Sequence, residues 1–325
     1  MNLGTELIGV ILAAGKGSRM YPFSERLPKP LLPILNRPLL AYQLEEMARL
    51  GIKRVIIVVG YYGFEIVRQI GDGSEWGISI EYVDQEQTFG IAHALGYLES
   101  RIDRPFLLFL GDVFFRARDL SLMITPLISG EANCVLAARK EPNPERLRRN
   151  FLIILGPDGT VARVIEKPRY VETMLKGCGL YSFDLHIFDS VRRTPRTAAR
   201  DEYEITDSIQ LLIQDGLTVR AMDQIEFDLN LTYPEDLLIL NQWELARRGL
   251  SREIGENYSG PSPERVERSV IGNNVRLPDS ISIRDSVIFS EVREPGSQDL
   301  DHVILTPDRQ VALDSRNLKP LRDEL

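Results

Sequence analysis

Cysteine, histidine, positive charge and long apolar runs are all in short supply in this chain of 325 residues. Its two cysteines, Cys134 and Cys178, are too few for a disulfide framework or a four-ligand zinc site, and are expected as buried thiols of a cytoplasmic protein. Its three histidines, His93, His186 and His302, are scattered without metal-ligand spacing, and packing or solvent is the expected place of His93. The 39 Lys and Arg are outnumbered by 47 Asp and Glu, a net charge of −8, which argues against a broad basic face for nucleic acid. No apolar run approaches the ~20 residues of a membrane span. Leu7 to Ala14 follows Glu6 and has no basic segment before it, so it reads as a buried strand rather than a signal peptide.

What is present is ordinary for a globular protein, with 43% hydrophobic and 26% charged residues and enough length for roughly two domains. Apolar runs alternate with amphipathic stretches. Ile8–Leu12, Val55–Val59, Ile78–Val83 and Phe106–Leu110 read as strands, and Leu39–Leu50, Phe64–Ile70 and Ile91–Glu99 as helices. This alternation predicts an α/β fold, a Rossmann-like, mostly parallel (mixed) sheet flanked by helices. Beyond residue 133 a hairpin is expected around Gly156-Pro157-Asp158-Gly159. Strands are expected at Gly179–Phe183, Thr218–Met222 and Ile225–Leu229, and helices at Ile205–Gln214 and Pro234–Arg247. Residues 1–249 then form the main domain, and polar residues 250–268, with Gly260-Pro261-Ser262-Pro263, a linker. From 269 to 325 apolar residues recur every six positions (Ile271, Leu277, Ile283, Phe289), which predicts a short left-handed β-helix-like module, with a small antiparallel extension as the alternative. That module is expected to serve oligomerisation or capping, so that removing 262–325 alters assembly more than chemistry.

The glycine-rich loop Leu12-Ala13-Ala14-Gly15-Lys16-Gly17-Ser18-Arg19 follows the first strand, where many sheets bind nucleotides. Spacing excludes two familiar motifs. Met20 stands where a dinucleotide fingerprint needs its third glycine, and Gly17 stands where a P-loop needs Ser or Thr. What remains is a loop whose backbone N–H groups can approach an anion, with Lys16 and Arg19 adding charge. Downstream, Pro28-Lys29-Pro30 sets a lysine between two prolines, which predicts an extended, low-entropy frame for Lys29.

Together with Gln85…Gly90-Ile91-Ala92, Leu110-Gly111-Asp112, Glu166-Lys167-Pro168, Glu204-Ile205-Thr206-Asp207 and Phe227-Asp228, these segments resemble the sugar-phosphate nucleotidylyltransferases (nucleoside diphosphate sugar pyrophosphorylases) over about residues 8–240. The resemblance implies transfer of a nucleotidyl group from a nucleoside triphosphate to a sugar 1-phosphate, with release of pyrophosphate. It implies Arg19 on the triphosphate, Lys29 at the α-phosphate and Lys167 on the sugar phosphate as the catalytic cations. Leu12, Ala13, Ala14, Gly15, Gly17, Ser18, Gln85 and Gly90 would bind the nucleotide. Glu166, Gly179 and Arg200 would join Lys167 around the sugar phosphate, and Asp112 and Asp228 would hold Mg²⁺. A glutamine amide can both donate to and accept from the imide edge of uracil or thymine, which favours UTP or dTTP and leaves guanine open. Val113, Asn150-Phe151 and Asn230-Leu231 depart from the family pattern, the first two on the sugar side, so the sugar stays open.

Two rival readings remain: a catalytically silent paralogue that binds nucleotide sugars, and a transferase acting on a non-sugar phosphate or phosphonate. Neither nucleic acid nor membrane is an expected partner, and a homo-oligomer is compatible with the tail.

Overall fold

The structure is a computed structural model, and it describes residues 3–198, 200–293, 296–314 and 318. The chain divides into two compact units, one of residues 1–16 and 40–228, the other of 17–39 and 229–325.

The first unit is built on a nine-stranded mixed sheet. Its parallel half comprises β1 (Ile8–Ala13), β2 (Arg54–Val59), β3 (Ser79–Asp84) and β4 (Phe106–Leu110), with β1 central between β2 and β4. Runs such as Ile56-Ile57-Val58 are wholly buried, as a strand covered on both faces requires. Strand β5 (Val113–Ala117) turns away after β4 and pairs outside this sheet. The second half holds β6 (Cys134–Lys140), the hairpin β7 (Phe151–Leu155) and β8 (Val161–Glu166), the long β9 (Leu175–Phe183), and β10 (Val219–Asp223). Strand β9 joins the halves, antiparallel to β4, β6 and β7. Strand β11 (Ile225–Asn230) pairs with β5. Helices α1 (Leu39–Arg49), α2 (Gly63–Ile70), α3 (Ile91–Gly96), α4 (Ser121–Ile128), α5 (Ile187–Arg193) and α6 (Ile205–Gln214) complete it. Leu95, Ile187, Ile209 and Leu212 pack with the sheet residues Val10, Ile56 and Phe106 in one core. Cys134, in that core, and Cys178 are both free and buried, and burial raises both thiol pKa values.

The second unit contains segment 17–39, helix α7 (Pro234–Arg247) and a set of short parallel ladders. Arg252–Ile254 pairs with Ser269–Ile271, that strand with Val287–Ile288, and that with Val303–Leu305. A second ladder runs Val266, Ile283, Leu300, and isolated bridges link Ser259, Arg276 and Arg293. Every partner lies 17 residues further on. Residues 250–268 are therefore strands and bridges of the first repeat rather than a linker. Ile271, Leu277 and Ile283 point into the core of these ladders, but Phe289 does not belong to it. A period of six divides 17 only as six, six and five, so the spacing holds for two steps and fails at the third, where Ile288 rather than Phe289 enters the core. Stacked polar columns mark the repeat. Asn257, Asn274 and Glu291 share a left-handed backbone, and each amide donates to the next side chain, at 2.8 and 2.6 Å. Arg268, Asp285 and His302 form a second left-handed column. Here Arg268 clasps Asp285 through two hydrogen bonds, and Gln242 of α7 donates to the same carboxylate at 2.8 Å. Residues 294–295, 315–317 and 319–325 of the expected C-terminal module lie outside the described residues.

Segment 17–39 is fastened within this unit. Phe23 stacks on Phe289 with centroids 5.9 Å apart. Arg309 donates to Glu25 at 2.9 Å and to the Tyr21 hydroxyl at 3.1 Å, and Arg26 pairs with Asp308 at 3.3 Å. Asn36 donates to Ile271 O at 2.8 Å, and the Leu35 N–H to Asn241 of α7 at 2.8 Å.

Candidate active site

Parallel strands deliver their C-terminal ends to one edge, where loops can gather around a ligand. Strand β1 ends in Leu12, Ala13, Ala14 and Gly15, of which the two alanines are buried and Gly15 is exposed. Gly111 N–H, after β4, donates to Leu12 O at 2.8 Å. The backbones of Ala14 and Gln85 both press on Gly60 after β2, where an added Cβ would lie 3.0 and 3.1 Å from their carbonyl oxygens. The ends of β1, β2, β3 and β4 are thus joined, with Leu12 and Ala13 against Gly111 and with Ala14 and Gln85 against Gly60. Gly90 has φ +106° and backs directly onto the Tyr203 backbone, so only glycine fits there.

Asp112 is half-buried at the start of β5. Its turn is held by Gln43 of α1, whose amide donates to Leu110 O and Val113 O, both at 2.8 Å. The sequence shows Gln43 only as a polar residue on the apolar stripe Leu40, Leu44, Met47.

Asp228 lies on β11, the partner strand of β5. Its Oδ2 accepts a 2.7 Å hydrogen bond from Lys176 Nζ of β9, a pair in which both side chains are buried. Its Oδ1 is buried, accepts no hydrogen bond and lies 3.4 Å from Arg139. Arg139 also donates to buried Glu141 at 3.2 Å, and Arg146 stands 3.9 Å from Glu141. Three cations face two carboxylates here. Arg139, Glu141, Arg146 and Lys176 were not read from the sequence. A lysine within the apolar strand Leu175–Phe183 is the one local signal.

At the end of β8 a second charged group forms. Glu166 Oε1 is 3.2 Å from Arg200 and 3.8 Å from Lys167 Nζ. Lys167 takes a left-handed backbone, φ +41°, its N–H donating to Asn150 O at 2.9 Å and its side chain half exposed. Arg200 also reaches Glu204 at 3.1 Å. Burial, with the nearby Glu166 charge second, pushes Glu204 up to about 7, and the same two causes raise Asp207. Gly179 sits elsewhere on β9, at φ +71°, against Val113 and Leu110 within a break in the β9–β6 ladder. Phe151 lies over Gly177, closing the space above that glycine.

Gly17, Ser18, Arg19 and Lys29 belong to the second unit. Gly17, φ +63°, opens a 3₁₀ turn, Ser18–Met20, and Arg19 is exposed with its guanidinium 5.8 Å from the centre of the Tyr233 ring. Lys29 is 8% exposed, with its stem packed along Gly17. Its backbone departs from the extended expectation. Pro28 is extended, and Lys29 starts a 3₁₀ turn, Lys29–Leu31, closed by Leu31 N–H to Pro28 O at 2.9 Å and Leu32 N–H to Lys29 O at 3.0 Å. The two closing hydrogen bonds outweigh the preference imposed by Pro30.

Comparison with known proteins gives this arrangement a family. Residues 8–244 match the nucleotidyl transferase family. The chain is 34% identical over 227 residues to the UTP–glucose-1-phosphate uridylyltransferase AglF of Haloferax volcanii, covering 70% of this chain and 92% of that one. It is 33% identical over 307 residues to a glucose-1-phosphate thymidylyltransferase of Streptomyces griseus, covering 86% and 84%. Among solved structures it resembles a glucose-1-phosphate thymidylyltransferase from Bacillus anthracis, with TM-score 0.65, 25% identity, and 74% and 95% of the two chains covered. The chain belongs to the nucleotidyl transferase family.

Proposed function

We propose that this protein transfers a nucleotidyl group from UTP or dTTP to a sugar 1-phosphate, forming a nucleoside diphosphate sugar and pyrophosphate. The observation that carries the reading is the grouping of Lys167 and Arg200 around the half-buried Glu166. Two cations beside one carboxylate suit a phosphate carried on a ring of hydroxyls. Lys167 and Arg200 would bind the sugar phosphate, and Glu166 would accept hydrogen bonds from the sugar. An oxygen of that phosphate attacks the α-phosphorus, the bond from the α-phosphorus to the bridging oxygen breaks, and pyrophosphate leaves. Arg19 would stabilise the leaving pyrophosphate and Lys29 the charge growing on the α-phosphate. The attacking phosphate is already ionised, so no general base is needed.

Magnesium belongs to the proposal. Asp228 Oδ1 is a buried acceptor without a hydrogen bond, and Asp112 adds a second carboxylate at the start of the adjoining strand, a donor set that fits a hard cation. When bound, the ion would neutralise phosphate oxygens. Because Lys176 and Arg139 already face Asp228, a bare divalent ion would meet two positive neighbours, which favours its arrival with the triphosphate.

The ladders at 17-residue intervals support reading the C-terminal module as a short left-handed β-helix. Two free, buried thiols are consistent with a cytoplasmic setting. No described helix is long and apolar enough to cross a membrane.

The test is a pyrophosphate-release assay with Mg²⁺ across panels of triphosphates and sugar 1-phosphates. Turnover with UTP or dTTP supports the proposal. Binding of a nucleotide sugar with no turnover on any pair would transfer the protein to the silent class.

A further inference from the structure

Gln85 follows β3, is 3% exposed, and has its backbone N–H tied to Val59 O at 2.7 Å. Its side-chain Nε2 donates to Gln87 O at 2.9 Å and lies 3.2 Å from His93 Nδ1. A backbone carbonyl only accepts, so the atom facing Gln87 is the amide nitrogen. Its second proton is directed at His93 Nδ1, which must then be the lone-pair nitrogen of a neutral ring. Both donors of the amide are therefore spent inside the protein. Oε1 makes no hydrogen bond to any described residue and is left to face a ligand. His93 is set in an aromatic enclosure: Phe89 and Tyr97 meet its ring edgewise at 5.1 and 5.0 Å, and Tyr203 stacks at 6.0 Å.

We propose that His93 is a positioning residue for base selection, holding Gln85 with its carbonyl outward so that this amide offers the base an acceptor and no donor. This rests on the reading of Gln85 as a base contact and narrows it. An acceptor suits a base with an N–H on its pairing edge: N3–H of uracil or thymine, or N1–H of guanine. Cytosine and adenine present a lone pair at that place and are repelled. Protonation of His93 would aim a new N–H at the Gln85 amide hydrogens and undo the arrangement. The groups around His93 resist this. Burial first, and Arg196 second, lower its pKa, and the nearby Glu99 is already paired with Arg192.

The experiment measures binding of UTP, dTTP, GTP and CTP, with Mg²⁺, to the full chain and to His93→Phe, His93→Asn and Gln85→Ala between pH 5.5 and 8. His93→Phe keeps a ring but has no acceptor, and should lower the UTP-to-CTP affinity ratio roughly tenfold. His93→Asn can present Oδ1 near the place of Nδ1 and should restore most of the ratio. Wild-type UTP affinity should fall at the acid end of the range, and that limb should vanish in His93→Phe. A ratio changed within twofold by His93→Phe, while Gln85→Ala abolishes selectivity, overturns the role of His93 alone. Unchanged selectivity in Gln85→Ala overturns the base contact on which it rests. Should His93→Phe fail to fold, the wild-type pH limb and the His93→Asn ratio still decide, and absence of both counts against the proposal.

Discussion

Replacing Phe289 by alanine tests whether the C-terminal ladders hold the segment that bears Arg19 and Lys29. Phe289 stacks on Phe23 in segment 17–39, and Phe23 is 5% exposed. Truncation removes the contact area of a half-buried ring, about 1 kcal/mol, together with the stacking preference, about another 1 kcal/mol. If that ~2 kcal/mol stabilises the working position of the segment, kcat/KM falls by up to about 30-fold. The loss should appear chiefly as a higher KM for the triphosphate, because Arg19 and Lys29 are the expected triphosphate cations. Arg309→Ala, which removes the bonds to Glu25 and Tyr21, should act in the same direction and become milder as salt rises, since those contacts are exposed.

The assay is pyrophosphate release at varied triphosphate, with melting temperature recorded for each variant. Phe64→Ala, an exposed aromatic on α2 in the other unit, is the control and should leave both KM and kcat within twofold. A Phe289→Ala protein that melts earlier yet keeps the wild-type kcat/KM shows that the stack does not set the position of the segment. In that case the ladders stabilise the unit without setting the segment's position, in keeping with the sequence-based expectation that the tail bears on assembly more than on chemistry.

Lys176→Met leaves Asp228 with Arg139 alone and should destabilise the protein by about 3 kcal/mol in chemical denaturation. Adding Asp228→Asn should recover much of that stability but no turnover, and recovered turnover would remove Asp228 from the chemistry. Glu204 has a folded pKa of about 7 against an ordinary 4.5, so the native state binds this proton more tightly than the unfolded chain. Its stabilising effect is complete below about pH 4.5 and is lost as pH rises through about 7, roughly 1–2 kcal/mol after solvent screening, and Glu204→Gln should flatten that slope in melts across the range. Magnesium titrated calorimetrically into the protein alone should give little heat, and strong heat once triphosphate is present. Tight binding without nucleotide would contradict the charge argument at Asp228.

The elements that were legible in the sequence are those whose pattern is local. Helices at Ile205–Gln214 and Pro234–Arg247 coincide with their expected limits, and the hairpin at Gly156–Gly159 joins β7 and β8 as its turn residues require. Strand β5 is hidden in the sequence because it follows β4 after only Gly111-Asp112, and β6 because its apolar run continues into Arg139 and Lys140. The six-residue spacing holds for two steps, from Ile271 to Ile283, yet the repeat of 17 is carried by polar corners, Asn257, Asn274 and Glu291, that apolar spacing does not mark.

The candidate site divides along the same line. Residues inside short motifs could be named from the sequence, since glycine, proline and charge in a fixed order leave a local signature. The charged group around Asp228 could not, because Arg139 and Lys176 are brought side by side by the pairing of β6 with β9, and Asp228 comes to them from β11, a strand of a different sheet. Burial turns that meeting into a constraint. A carboxylate removed from water needs partners, and Lys176 and Arg139 supply them before any ligand arrives. The same logic separates the two halves of the expected chemistry. On the proposed chemistry Asp228, compensated in advance, would take a metal only together with the charge of its phosphates, whereas Lys167, half exposed, would turn from Glu166 to an incoming sugar phosphate at small cost.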